Sequence, residues 1–328
     1  MNSPFSYRIT PWSQDRSAEW DHFVMEESGN GTLFQTRLFL SYHPADRFKD
    51  LSIMVYHEDR LICVVPTAAV EEQPMSHPGT SCGGPVIRRD WWSSEKLFSL
   101  LEFLSHHYGP QWGVRIAEPS FSKINPAPLL WFFGNRLHNH AELSSVIDLN
   151  LPDPIESIPQ VKRQNSVRRV KERGLSFCKA TSEDEWREFH RVLTENLAHH
   201  QTKPLHSIEE LLKLDRLLKG KEQLWLALSS ENAVIAGVWV IDATPHCHHI
   251  QYIARSKEAP HSTVEALLVE VMRDSKNRGA RHLSLGISTE KRGRYLNQGL
   301  LSFKEQLGAR VELRHLFLPK EKKSGEAE

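Results

Sequence analysis

Residues 282–304, HLSLGISTEKRGRYLNQGLLSFK, confine the fold more than any other passage of the chain. His282-Leu283-Ser284-Leu285 alternates like a half-buried strand, Gly286 permits a sharp exit, and Ser288 or Thr289 is placed to cap an amphipathic helix that follows. A strand that ends in glycine and feeds a helix is a building joint of α/β folds, and their sites gather there. Leu296, Leu300, Phe303 and Leu307 recur at helical spacing and predict the core face, with Glu305 turned to solvent. Asn297 and Lys304 then share one azimuth roughly 80–100° from that face, where an amide and an ammonium can line a groove. The structural alternative is that both are ordinary flank residues.

The same periodicities divide the chain at Leu151-Pro-Asp-Pro154. Before this break the sequence predicts strands at 5–9, 113–117 and 144–149, a hairpin of 51–56 with 61–65, and helices at 18–27, 36–43, 94–107 and 127–135. After it come a basic helix at 161–174, a strand at 175–179, and two helices whose starts carry capping boxes, Ser182 with Glu185 and Ser207 with Glu210. Strands at 224–228, 234–241 and 249–254 lead to a helix opened by Ser262 and Glu265 and closed by Gly279; the 283 strand, the 296 helix and a strand at 311–318 complete the series. The reading is an α/β (α+β) protein of two domains, 1–152 and 153–320, each a mixed central sheet flanked by helices. Residues 321–328, charged and nearly devoid of apolar side chains, are expected to be a disordered tail.

A chain of 328 residues exceeds the usual single-domain size, which agrees with that division. Its 41 basic and 41 acidic side chains cancel, so a nucleic-acid coat or a polybasic membrane protein is disfavoured and electrostatic recognition must be local. Cys63, Cys82, Cys178 and Cys247 lie far apart with no CxxC pair, which points to reduced thiols and a cytoplasmic setting. The first residues hold no apolar leader core, and the longest apolar-leaning run, 61–70, contains Pro66 and is too short to span a bilayer. A soluble protein is expected, one still able to act on membrane-linked substrates.

The element order after the break, and more loosely before it, is that of the GNAT acyltransferase fold, so the chain reads as two GNAT-like domains in tandem. Particular residues narrow the likeness: Asn165-Ser-Val-Arg168-Arg169, Lys203-Pro-Leu-His206-Ser207, Ile235-Ala-Gly237, His249-Ile-Gln251-Tyr252-Ile253, Gly286-Ile-Ser288-Thr-Glu290, and Gly293-Arg-Tyr-Leu-Asn297 running on to Lys304-Glu305. In this order and spacing they resemble the FemAB-like branch of the GNAT superfamily, whose acyl and aminoacyl transferases are tandem GNAT proteins. Leu33-Phe-Gln-Thr36 resembles that branch's early helix entry. The resemblance implies transfer of an acyl group to an amine on an envelope sugar or peptide precursor, small or lipid-linked, as in surface-polysaccharide synthesis. It also implies no tightly bound cofactor, and acyl-CoA or a related thioester as co-substrate. Alternatives are an aminoacyl-tRNA donor, with tRNA as partner, and a non-catalytic binding module. One departure bears on the donor: the turn that should cradle a pyrophosphate, residues 255–262, has no glycine.

In the GNAT fold the donor lies where two central strands part, here those at 249–254 and 282–286. Simple alternation puts His249, Gln251 and Ile253 on one face and His248, Ile250 and Tyr252 on the other. Histidine is the side chain whose ordinary titration lies near neutrality, so His249 is a candidate base; Glu290, acting directly or through a water, is the alternative. Tyr252 is a candidate acid for the leaving group. His206, Gln251, Ser288, Asn297 and Lys304 are candidate substrate-binding residues. Arg168 and Arg169, within the basic segment, are candidates for an anionic partner such as tRNA, a nucleotide-sugar diphosphate or a lipid-linked phosphate; a solvated helix face is the alternative. The run His246-Cys247-His248-His249 invites a zinc reading, set aside because neighbouring strand side chains point to opposite faces and no second ligand cluster follows.

Overall fold

The computed structural model describes residues 5–199 and 201–320; the tail expected at 321–328 lies outside them. The chain forms two compact units: unit 1 takes the chain up to Leu143, Thr289–Tyr295 and the chain from Leu313, and unit 2 takes Ser144–Ser288 and Leu296–Glu312. The division therefore falls ahead of the Leu151–Pro154 break, and two late segments return to unit 1. The Pro-Asp-Pro run marks where a strand ends, whereas the units divide inside that strand, between Leu143 and Ser144.

In unit 1 the strands are β1 (Tyr7–Pro11), β2 (Ile53–His57), β3 (Arg60–Val65), β4 (Thr67–Val70), β5 (Gln73–Ser76), β6 (Val86–Ile87) and β7 (Val114–Ile116). An antiparallel sheet runs β1-β2-β3-β6, and β4 with β5 forms a separate hairpin. The helices are α1 (Ser17–His22), continued by a π-helical turn, then α2 (Arg37–Leu40), α3 (Ser94–Tyr108) and α4 (Ala127–Gly134). On α3, Leu97, Leu100, Leu101 and Leu104 recur at i, i+3, i+4 and i+7, and all four are buried with Val55, Ile62, Phe132 and Phe133. Each such leucine stabilises the unit by roughly 1.5–3 kcal/mol relative to exposure. The β4–β5 hairpin went unpredicted because its two turn residues are Glu71 and Glu72, at φ +49° and +62°, where sequence reading looks for glycine or asparagine.

β8 (His138–Asp148) starts in unit 1 and ends in unit 2, where α5 (Val161–Glu172), β9 (Ser176–Lys179), α6 (Glu183–Ala198), α7 (Ile208–Leu217), β10 (Glu222–Leu228), β11 (Val234–Thr244), β12 (Cys247–Arg255), α8 (Thr263–Asn277) and β13 (His282–Ile287) follow. Within unit 2 the sheet order is β8-β13-β12-β11-β10-β9, and β12–β13 is its parallel pair. Val264, Leu267, Leu268, Val271 and Met272 of α8 pack on Val238, Val240 and Ile250, as their spacing predicts. Trp186 of α6 meets Trp239 edge-on at 5.5 Å and so covers the opposite face. Both predicted capping boxes form, at Ser182/Glu185 and Ser207/Glu210.

The 283–304 passage departs from expectation after Ile287. A short hairpin, β14 (Thr289–Glu290) with β15 (Tyr295–Leu296), intervenes before α9 (Gln298–Glu305). Asn297, not Ser288 or Thr289, caps α9, its Oδ1 accepting from Leu300 N–H at 3.0 Å. Leu296 and Leu300 are exposed while Leu307 and Lys304 are buried, so the predicted core face holds only in its C-terminal part, with Phe303 against the core. The reason is the hairpin: it displaces Leu296 from the helix. β16 (Arg310–Leu318) ends the described chain and pairs with β7 through His315, Leu316 and Phe317.

Candidate active site

β12 and β13 pair in parallel over three positions, Cys247 with His282, His248 with Leu283 and His249 with Ser284, and pairing stops there although both strands continue. Beyond His249 the two strands part, so their backbone groups must find partners other than each other; at the end of β13, Gly286 N–H donates to Ser284 Oγ at 3.3 Å. Gly286, at φ +69°, turns β13 away within two residues of its last pair. His249 sits at the fork, 8 % exposed, with Nδ1 3.1 Å from Ser284 Oγ. In the tautomer whose Nδ1–H donates to that hydroxyl, Nε2 carries the lone pair that a base requires.

A β-bulge at Gln251 corrects the alternation expected for β12. Trp239 pairs with Tyr252 and Val240 with Ile250, leaving half-buried Gln251 as the extra residue. Residues paired across antiparallel strands share a face. Ile250 therefore lies with Val240 against α8, and His249, paired with Ile241, lies on the other face. Tyr252, expected on the Ile250 side, is carried by the bulge to the face of His249 and Trp239, while Ile253 packs on the α8 side.

On that face a polar network forms around half-buried Tyr252. Its hydroxyl accepts from Leu205 N–H at 3.2 Å and lies 2.7 Å from His206 Nδ1. Its ring stacks on Trp239 at 6.0 Å, and Trp239 Nε1 donates to Glu222 Oε2 at 2.8 Å. Burial pushes the Tyr252 phenol up to about 12, opposed by the donor at Leu205. Burial likewise raises the Glu222 carboxyl to about 8, with Asp215 adding to the effect. Sequence reasoning identified His206 and Tyr252 separately but missed their pairing, and missed Ser284, Trp239 and Glu222. No sequence signal announces a bulge, and the bulge creates the grouping.

The turn from Arg255 to Ser262 reaches a glycine-like conformation without glycine: Ser262 adopts φ +69° at the N-cap of α8. Its side chain makes no cap hydrogen bond, so the expected Ser262/Glu265 box is absent and no side chain at the cap accepts from the first N–H groups of α8. Arg255 does not offer its charge there in full; Nη1 donates to Ala259 O at 3.3 Å and braces the turn.

The remaining candidates are dispersed. Lys304, expected on a groove rim, is 3 % exposed and donates to Gly286 O and Ile287 O, both at 2.8 Å, which satisfies its buried ammonium and pins the end of β13. Ser288 is buried, its carbonyl accepting from Asn297 N–H at 2.9 Å and its hydroxyl unpartnered among the described residues. Glu290, the alternative base, is exposed on β14, in a segment belonging to unit 1. Arg168 and Arg169 are exposed on α5. In the His246–His249 run, His248 faces Asp242, 3.5 Å away, and burial holds its imidazole down to about 4. No helix among the described residues is long and apolar enough to cross a membrane.

Residues 162–295 match the family model of the acetyltransferase (GNAT) domain. No curated protein matches the sequence. Among solved structures the chain is similar to FemX, with a TM-score of 0.68 and 13% identity over 94% of this chain and 96% of that one. It is also similar to L-PGS from Bacillus licheniformis, at 0.61 and 17% over 96% and 94%. A tandem GNAT protein from the clavulanic acid biosynthesis pathway matches at 0.53 and 11% over 98% and 100%. At such identities these likenesses are of fold: the chain has the tandem GNAT architecture. The matched domain supports a GNAT acyltransferase reading of residues 162–295.

Proposed function

We propose that this acyltransferase moves an acyl group from a thioester donor to an amine at the fork between β12 and β13, with the acceptor an amino-bearing sugar or peptide precursor of the cell envelope. The observation that carries the reading is the fork itself: pairing ends at His249 and Ser284, and the bulge at Gln251 brings His249 and Tyr252 to one face. The amine nitrogen attacks the donor carbonyl, whose developing oxyanion is met by N–H groups of the parted strand edge. His249 removes the proton from nitrogen. The C–S bond breaks, and Tyr252 gives its proton to the leaving thiolate. If Leu205 N–H and the His206 ring both donate to the Tyr252 oxygen, the phenol proton is directed outward and both donors stabilise the phenolate left behind.

The first turn of α8 supports a donor carrying phosphates, since the Ser262 side chain makes no cap hydrogen bond there, the helix dipole favours an anion and Ser262 supplies the left-handed turn. An aminoacyl-tRNA donor is the second reading, favoured by the exposed cations Lys162, Arg168 and Arg169 on α5. Free-thiol release from acyl-CoA with a panel of amino sugars and peptides tests the first reading. Turnover with at least one acceptor is expected, and CoA binding without turnover across the panel would favour a binding module. His249→Ala should lower kcat by about tenfold or more with the fold intact; wild-type rates would remove His249 from the site.

A further inference from the structure

Unit 1 contains a cavity of about 710 Å³ that the acyl-transfer reading does not use. Arg292, Arg294 and Lys320 line it together with His138 and His140, against one carboxylate, Glu71. Among the described residues none of the three permanent cations is paired with a carboxylate. The volume lies within the range of small-ligand sites, about 300–1,000 Å³, and Val70, Met75 and Leu318 supply an apolar wall.

The groups are held in place at a conformational cost. Lys291 and Arg292 have φ of +48° and +60°, left-handed values that L side chains avoid, and Gly293 follows at +84°. A Cβ on Gly293 would stand 2.0 Å from Ala141 O, so the tip of the β14–β15 hairpin is seated on β8 and only glycine permits it. The opposite lip is the β4–β5 turn, where Glu71 and Glu72 are also left-handed. Four of the eight non-glycine residues with positive φ among the described residues thus lie in two turns at one cavity. Such strain, roughly 1–3 kcal/mol per residue, persists where surrounding contacts enforce it and concentrates at ligand sites.

We propose that this cavity is an anion-binding site for a phosphate- or diphosphate-bearing ligand, engaged by the guanidinium forks of Arg292 and Arg294 and the ammonium of Lys320. Two planar guanidinium groups match phosphate oxygens in pairs, and an excess of positive charge in a concave site favours a polyanion over a single carboxylate. The ligand chemistry has two sources, a soluble nucleotide diphosphate or a phospholipid headgroup. The cavity is lined by unit 1 residues and the fork by unit 2 residues, and the binding function proposed here does not depend on acyl transfer.

Isothermal titration of the full chain with UDP-N-acetylglucosamine and with pyrophosphate, beside sedimentation with phosphatidylglycerol and phosphatidylcholine vesicles, tests it. Binding that weakens about tenfold or more in Arg292→Gln/Arg294→Gln, stays unchanged in the exposed control Arg8→Gln, and tightens about two- to fivefold in Glu71→Gln is expected. Soluble-probe binding with this pattern assigns a nucleotide diphosphate; phosphatidylglycerol binding alone with this pattern assigns a lipid headgroup. Absence of binding to every probe, or affinity retained in the double variant, would overturn the site. Should the double variant unfold, unchanged affinity in Glu71→Gln alone would do the same.

Discussion

In unit 2 the polar side chains beside the fork are buried or half-buried and held by internal hydrogen bonds: His249 on Ser284, Tyr252 on Leu205 and His206, Lys304 on the end of β13. In unit 1 the two arginines of the cavity, Arg292 and Arg294, stand on one hairpin tip whose backbone takes left-handed values at Arg292 and Gly293. The contrast separates two ways of placing charge. A buried network fixes position and protonation together, so a change there disturbs chemistry, stability and pH response at once. Exposed cations on strained turns fix position alone, and changes there should alter binding and its salt dependence while the fold stays intact.

The sharpest way to break this contrast is Tyr252→Phe, which keeps the ring on Trp239 and deletes the hydroxyl. A fall in kcat of about a hundredfold is expected, against no change in thiol release for Arg292→Gln/Arg294→Gln at saturating acceptor. Equal rates for Tyr252→Phe and wild type would reduce the unit 2 network to a structural role. Lys304→Met comes next. It leaves the two β13 carbonyls without a donor and should cost about 1–3 kcal/mol, read as a lower thermal midpoint with anion affinity in unit 1 unchanged.

The smallest effect compares the units directly, because each buries one imidazole whose affinity for protons burial has lowered to about 4, His77 in unit 1 and His248 in unit 2. The unfolded chain binds the proton first, near 6.5, so stability is present above that pH and is lost as the pH falls toward 4. His248→Asn should flatten the decline of melting temperature over that window, and His77→Asn should do so independently. Non-additive effects in the double variant would show that the units do not respond separately.

Most elements of unit 2 were legible because their signals are local: capping residues at Ser182 and Ser207, apolar spacing on α6 and α8, and a glycine exit at Gly286. The fork was legible through family likeness rather than periodicity. What escaped notice depends on single backbone events. The Gln251 bulge moves Tyr252 across the sheet, and the turns at Glu71-Glu72 and Lys291-Arg292 occupy conformations their residue types disfavour, so the β4–β5 and β14–β15 hairpins carry no turn signature. The face of α9 was misjudged for the same reason, since the unforeseen β14–β15 hairpin took Leu296 out of the helix and left Lys304 as its buried residue.

The thread of the chain through its units sets an order of assembly. Unit 1 begins at the amino terminus, yet it needs the 289–295 segment seated on Ala141 and the β16 residues paired to β7. A ribosome therefore completes nearly all of unit 2 before releasing the piece that closes unit 1. Cutting the gene, or recombining it with a relative, at the Pro-Asp-Pro run would strand Phe317 and the Arg314–Glu142 pair on the wrong fragment, so neither half travels as an independent cassette.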